Sequence, residues 1–223
     1  MRNIPVITKN LLIINVLVFV ATYALRGLNI DLDTLLGLHF ILAPDFRAWQ
    51  FVTYMFMHGG VTHLLMNMFM LWMFGMVVEN VWGPRKFLFY YMVCGLGAGV
   101  CQELAQYGTY VVEGLAQYET LRIANSIIPM SEYLNMMNTV GASGAIYGVL
   151  LAFGMLFPEE RMFIIPIPVP IKAKWIVIGS VVVELFSAIG TSNDGVAHLA
   201  HLGGMLFGFI LIRYWKKHPY SGY

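Results

Sequence analysis

Polar and apolar positions along this chain separate into long blocks. Six apolar runs lie at about Lys9–Leu25, His63–Val81, Phe87–Ala105, Gly141–Phe157, Trp175–Ile189 and Ala197–Trp215, and each reads as a helix that could span a bilayer. The fourth has 17 residues and reaches only about 25 Å as a helix, the short end for a crossing. Two long stretches interrupt the blocks. Arg26–Thr62 carries Phe40, Phe46, Trp49, Phe51, Tyr54 and Phe56 and reads as an interfacial structure lying in the outer leaflet. Gln106–Val140 is more polar and reads as a solvent-side loop. No internal repeat or low-complexity segment is visible. The pattern predicts an all-α polytopic membrane protein, residues 1–223 forming one domain with six transmembrane helices.

Composition agrees with that solvent. The chain is 59% hydrophobic and 11% charged, with a mean hydropathy of +0.71, whereas soluble domains carry about 25% charged residues. A net charge of +1 argues against a nucleic-acid partner. No short apolar region with an A-x-A-like cleavage site precedes the first run, so no removable signal peptide is expected. Cys94 and Cys101 are seven positions apart on one run, roughly 10 Å along a helix axis, too far for a disulfide. They read as packing residues.

Charge sets the expected orientation. Ten of the 13 Lys and Arg residues fall on the side that holds both termini, so both termini are expected in the cytoplasm. Runs two, four and six then all enter from the external side. Placing the polar residues on this topology brings three runs to one depth: His63 and Asn67 open the second, Ser143 the fourth, and His198 and His201 the sixth. Polar groups inside a membrane are expensive and are kept where they pair or function.

Acyl transfer is the chemistry such a set can perform. A serine hydroxyl is a weak nucleophile until a neighbouring base takes its proton, and histidine suits that role near neutral pH. The oxyanion that follows needs fixed donors. His63 and Asn67 are i and i+4 and share a helix face. The amides of Ser143 and Gly144 open a helix and lack intrahelical partners. Tyr147, i+4 from Ser143, can pack against the base. His201 is the expected base, because Gly204 and Gly208 lie on its face and small residues let helices approach closely. From His198 the same offsets lead to His201 and Met205, which are bulky; His198 is expected to line a cavity or serve structure.

These residues resemble the rhomboid intramembrane serine proteases. G-x-S-G stands at Gly141–Gly144, H-x-x-x-N at His63–Asn67, and H-x-x-G-x-x-x-G at His201–Gly208. The likeness covers all six runs. It implies a Ser143–His201 dyad and an oxyanion hole of His63, Asn67 and the Ser143 amide. Tyr147 would stack on the His201 ring, and the six helices would surround a water-accessible cavity open to the external side. By the same likeness His58 supports the first loop, and Glu79, with Gly83 four residues on, forms a structural motif at the cytoplasmic end of the second run. One departure is visible: where the family's first loop often carries Trp-Arg, this chain has Trp49-Gln50.

The expected function is therefore serine endopeptidase activity on single-span membrane proteins, in a bilayer and with no cofactor, in a bacterial inner membrane with both termini cytoplasmic. Other readings stay open. A catalytically inactive rhomboid- or derlin-like binder of membrane clients would be expected to lack the serine or the base. A zinc site at His198 and His201 has a known ligand spacing but no evident third ligand, and no metal is expected. A transporter would show repeats or charges along a path. Glu184 reads as a paired structural group or a gate residue, and Asp194 as a remote candidate to orient His201. His39 and His218 read as solvated, and the methionines from Met66 to Met76 as lipid-facing or core filling. The sequence leaves the oligomeric state unknown.

Overall fold

The computed structural model describes residues 3–163, 169–190 and 196–218. Six helices of 14 residues or more build it: α1 Val6–Arg26, α2 Val61–Trp82, α3 Pro84–Val112, α4 Ser143–Leu156, α5 Ala173–Ile189 and α6 His198–Lys217. Helices α1, α2 and α3 are each long and apolar enough to cross a membrane. Helix α4 is apolar but shorter. Each helix covers most of one predicted run. The main extension is α3, which continues to Val112, past the apolar stop at Ala105, because backbone hydrogen bonding propagates one residue at a time and needs no apolar face.

Helix α4 is the hub. Residues Gly144 to Ala152 are buried almost without interruption, as expected for a helix apolar on every side, and it packs against α2, α3, α5 and α6. The outer helices show the complementary pattern. In α5 only Ala173, Val177 and Glu184 are buried, while Val183, Phe186 and Ile189 face outward.

Buried acids tie the outer elements down. A helix start leaves amides without partners, and at α1 these are met by Glu79 of α2, which accepts from Ile7 N (2.9 Å), Thr8 N (2.7 Å) and Thr8 Oγ1 (2.7 Å). Gly83, at φ +79°, makes the turn into α3 in a conformation only glycine adopts cheaply, and Pro84 opens that helix. Glu103 of α3 accepts from Ile41 N at 2.7 Å and holds the first loop.

That loop is folded onto the protein. It contains a short helix, Leu32–Leu36, a two-residue strand, Leu38–His39, and a helical turn, Gln50–Thr53. Its strand pairs antiparallel with Asn138–Thr139 of the second long loop, which also carries a hairpin, Thr120–Ile123 with Ser126–Pro129, and the helix Met130–Met136. A third short pair joins Arg161–Met162 to Ile171–Lys172. The fold is thus helical with small strand pairs in its loops, where the hydropathy pattern had no signal for them. Phe40 and Tyr54 are fully buried in the protein, so much of the aromatic content of the first loop packs inward instead of facing the leaflet; only Trp49, 52% exposed, keeps the expected outward position.

Gln50 anchors this loop. It is buried; its Oε1 accepts from His39 N (3.4 Å) and Arg47 N (3.0 Å), and its Nε2 donates to the carbonyls of Asp45 (3.0 Å) and Leu35 (3.4 Å). His39 is not solvated. It is 3% exposed with its ring nitrogens each 2.9 Å from a carbonyl, of Asn135 and Thr34, because strand pairing between the two loops encloses it. His218 is exposed. Asp194 and most of the Ser192–Val196 segment lie outside the described residues.

Candidate active site

The start of α4 is set by backbone. Gly141 has φ +136°, a region that L side chains avoid, and its amide donates to Tyr54 O at 2.9 Å. A Cβ there would stand 2.9 Å from His63 Nε2. Glycine therefore supplies both the turn and the room that bring Ser143 beside α2.

Ser143 and His201 meet because α4 and α6 touch at their backbones. A Cβ on Gly204 would collide with the Gly144 carbonyl oxygen, and one on Gly144 would stand 3.4 Å from the Ala200 carbonyl oxygen of α6, besides striking the Ala98 methyl of α3. With no side chain between them, the first turns of α4 and α6 lie close enough to put His201 Nε2 2.8 Å from Ser143 Oγ. His201 is 6% exposed. Gly208 behaves otherwise: its missing side chain leaves room for Tyr90 and Cys94 of α3, whose Tyr90 hydroxyl donates to Gly148 O at 2.8 Å. The expected glycine stripe is thus divided, Gly204 serving α4 and Gly208 serving α3. Cys94 and Cys101 are both free thiols.

The imidazole is held on both sides. Tyr147 lies flat against it, ring centroids 4.2 Å apart and planes 9° off parallel. Its Nδ1 lies 3.0 Å from Oε2 of Glu184 on α5, off the line of a hydrogen bond. The same oxygen takes a well-directed bond from His198 Nδ1 at 2.7 Å. Glu184, His198 and His201 offer donor atoms within 4.8 Å of one another, so Glu184 is the third group that the His-x-x-His spacing lacked. The sequence pointed to Glu184 only as a carboxylate in an apolar run; nothing local tied it to α6.

A cavity of about 860 Å³ opens beside the pair. Ser143, His201 and His63 line it, together with Gln102 and Gln106 of α3. His63 is positioned by Gly59, whose amide approaches its Nδ1 at 3.4 Å, and by edge contact with His58 at 5.0 Å between centroids. His58 is 3% exposed; burial, then the adjacent His63, pushes its pKa down to about 4. Asn67, one turn along α2 from His63, is 6% exposed and its Nδ2 has no hydrogen-bond partner among the described residues. A buried donor without a partner costs about 1–3 kcal/mol.

A serine, a base, a buried spare amide and a cavity on one set of helix ends make a constellation that can be compared with known proteins. The Rhomboid domain model matches residues 45–217. The chain belongs to the rhomboid family. The rhomboid relative YdcA of Bacillus subtilis (strain 168) is 28% identical over 215 residues, covering 95% of this chain and 91% of its own length. Rhomboid protease AarA of Providencia stuartii is 27% identical over 166 residues, 73% of this chain and 54% of AarA. The presenilin-associated rhomboid-like protein, mitochondrial, of Rattus norvegicus is 30% identical over 167 residues, 73% of this chain and 38% of the relative. This rhomboid thus spans nearly all of YdcA but only about half of AarA. Family membership and apolar helices of crossing length make it an integral membrane protein.

Proposed function

We propose that this rhomboid is an intramembrane serine endopeptidase, with Ser143 as nucleophile and His201 as base. The reading rests on one observation above the others: the 2.8 Å approach of Ser143 Oγ to His201 Nε2 at the wall of a cavity. Six helices cross the bilayer with both termini in the cytoplasm, and the cavity opens on the external side of a bacterial inner membrane.

The steps follow from the geometry. His201 Nε2 takes the hydroxyl proton as Ser143 Oγ bonds to the scissile carbonyl carbon. The carbonyl oxygen becomes an oxyanion, met by Asn67 Nδ2, the His63 ring and the Ser143 amide. Asn67 is suited to this because its buried donor has no other partner among the described residues. The protonated imidazole then passes its proton to the leaving amine, the C–N bond breaks, and an acyl group stays on Ser143. Water from the cavity, deprotonated by His201, releases it.

A helical substrate hides its carbonyls in hydrogen bonds to the following turn, so an extended stretch must be presented. A small residue such as Ala is expected before the cut, since Ser143 is itself set among the small residues Gly141, Ala142 and Gly144. Cleavage of single-span proteins near the external boundary of the span follows, helped by helix-breaking residues downstream. Cleavage of a model single-span substrate in proteoliposomes, with product masses read by mass spectrometry, tests this. Ser143→Ala and His201→Ala are each expected to abolish it while the protein stays folded. A cut at the cytoplasmic end, or full activity in either variant, would overturn the reading.

A further inference from the structure

Glu184 is the one charged residue between Trp175 and Ile189, and it is 4% exposed. A carboxylate in such a place is costly unless it is paired. Its neighbours are specific: Oε2 is 2.7 Å from His198 Nδ1 and 3.0 Å from His201 Nδ1. Each histidine thus offers its Nδ1 edge to one oxygen, while the opposite edge of His201 faces Ser143.

Resting on the protease reading above, we infer that Glu184 is a positioning residue that makes the Ser143–His201 pair a three-member relay, with His198 fixing the carboxylate. The chemistry is that of tautomer control. Only with its proton on Nδ1 does a neutral imidazole present a bare Nε2 to the serine, and an anion beside Nδ1 selects that form. When Nε2 accepts the Ser143 proton the ring becomes a cation, and Glu184 faces that charge without taking a proton itself. The misalignment of the His201 contact fits a resting enzyme, in which such bonds are commonly loose before substrate binds. His198 holds the better-directed bond, so it keeps the carboxylate in place across the gap between α5 and α6. Tyr147 closes the flat side of the ring. No other carboxylate joins this group among the described residues: from α4 the ring meets Ser143 and Tyr147, from α2 His63, and from α3 the uncharged Gln102 and Gln106 beside the shared cavity.

A merely structural carboxylate, tying α5 to α6, would affect stability and substrate turnover together. A positioning carboxylate separates them. In proteoliposomes, Glu184→Gln is expected to lower kcat by about 10²–10⁴-fold, the upper figure being the loss when the triad carboxylate of a soluble serine protease becomes an amide. KM should stay close to wild type, and Glu184→Asp should restore part of the lost kcat. Independently of activity, ¹⁵N NMR of imidazole-labelled wild-type protein should report the proton of resting His201 on Nδ1. Unchanged kcat in Glu184→Gln, with Ser143→Ala inactive, would overturn the relay and leave the protease reading standing. A resting His201 that carries its proton on Nε2 would also overturn it, whether or not the Glu184 variants fold. So would activity that is lost to a chelator and restored by zinc, since the three groups would then be serving a metal. Absence of cleavage and of fluorophosphonate labelling in wild type would sink the protease reading itself.

Discussion

Gly204→Ala tests whether the approach of α6 to α4 creates the reactive pair. The added methyl would fall on the Gly144 carbonyl oxygen, a backbone atom that cannot rotate away. Non-bonded heavy atoms rest about 3.5 Å apart, so relieving the overlap needs the two helices to part by at least about 1 Å. Ser143 Oγ and His201 Nε2 now stand at 2.8 Å; a further ångström takes them past hydrogen-bond range, about 3.2 Å. Misplacement on that scale costs about 10²-fold in rate. The stability cost of overpacking is about 1–3 kcal/mol, a shift in Tm of several degrees for a chain this size. The assay is kcat/KM on a single-span substrate in proteoliposomes, beside Tm by intrinsic fluorescence. Gly179→Ala is the control, because a Cβ there meets nothing within 4 Å; it should leave kcat/KM unchanged and not lower Tm. A folded Gly204→Ala protein with wild-type kcat/KM would refute the reasoning, since the pair would then survive separation of the helices that hold it.

Asn67→Ala and His63→Ala are each expected to lower kcat while a fluorophosphonate probe still labels Ser143; losing one oxyanion donor costs about 10²–10³-fold in other enzymes, and unchanged turnover in both would remove them from the oxyanion hole. His198→Ala should keep measurable activity where His201→Ala keeps none, read in the same cleavage assay, and the reverse order would exchange their roles. Gln50→Leu leaves the amides of His39 and Arg47 without their acceptor and should lower Tm at about 1–3 kcal/mol for each group left unpaired in the interior; an unchanged Tm would mean the loop is held elsewhere. Glu159, paired with Lys172 and Lys174, has its pKa lowered to about 2 by those hydrogen bonds. The pairing is therefore complete above the ordinary value of 4.5 and is lost as pH falls through about 2. Side-chain ¹³C NMR should show that low midpoint at low salt, and a midpoint at the ordinary value would remove the pairing.

Block hydropathy determined the helical class and the approximate place of every long helix, because an apolar run of that length has few ways to satisfy its backbone in lipid other than as a helix. Spacing alone determined more: His63 and Asn67 on one face of α2, Tyr147 above Ser143 on α4, and the small residues that let α6 come close. Each of these is local, a matter of 3.6 residues per turn. Tertiary structure decided what depends on which helix stands beside which. Gly208 was legible as a contact residue, but its partner is α3, because Tyr90 occupies the place that α4 would otherwise fill. His39 and Gln50 are buried by a strand pair between two distant loops, and no periodicity records such a pair. Glu184 shows the limit most clearly. Its polar atom in an apolar run was visible from the first, but its partners lie on the next long helix, and only the packing of α5 on α6 turns a costly buried charge into a neighbour of His201.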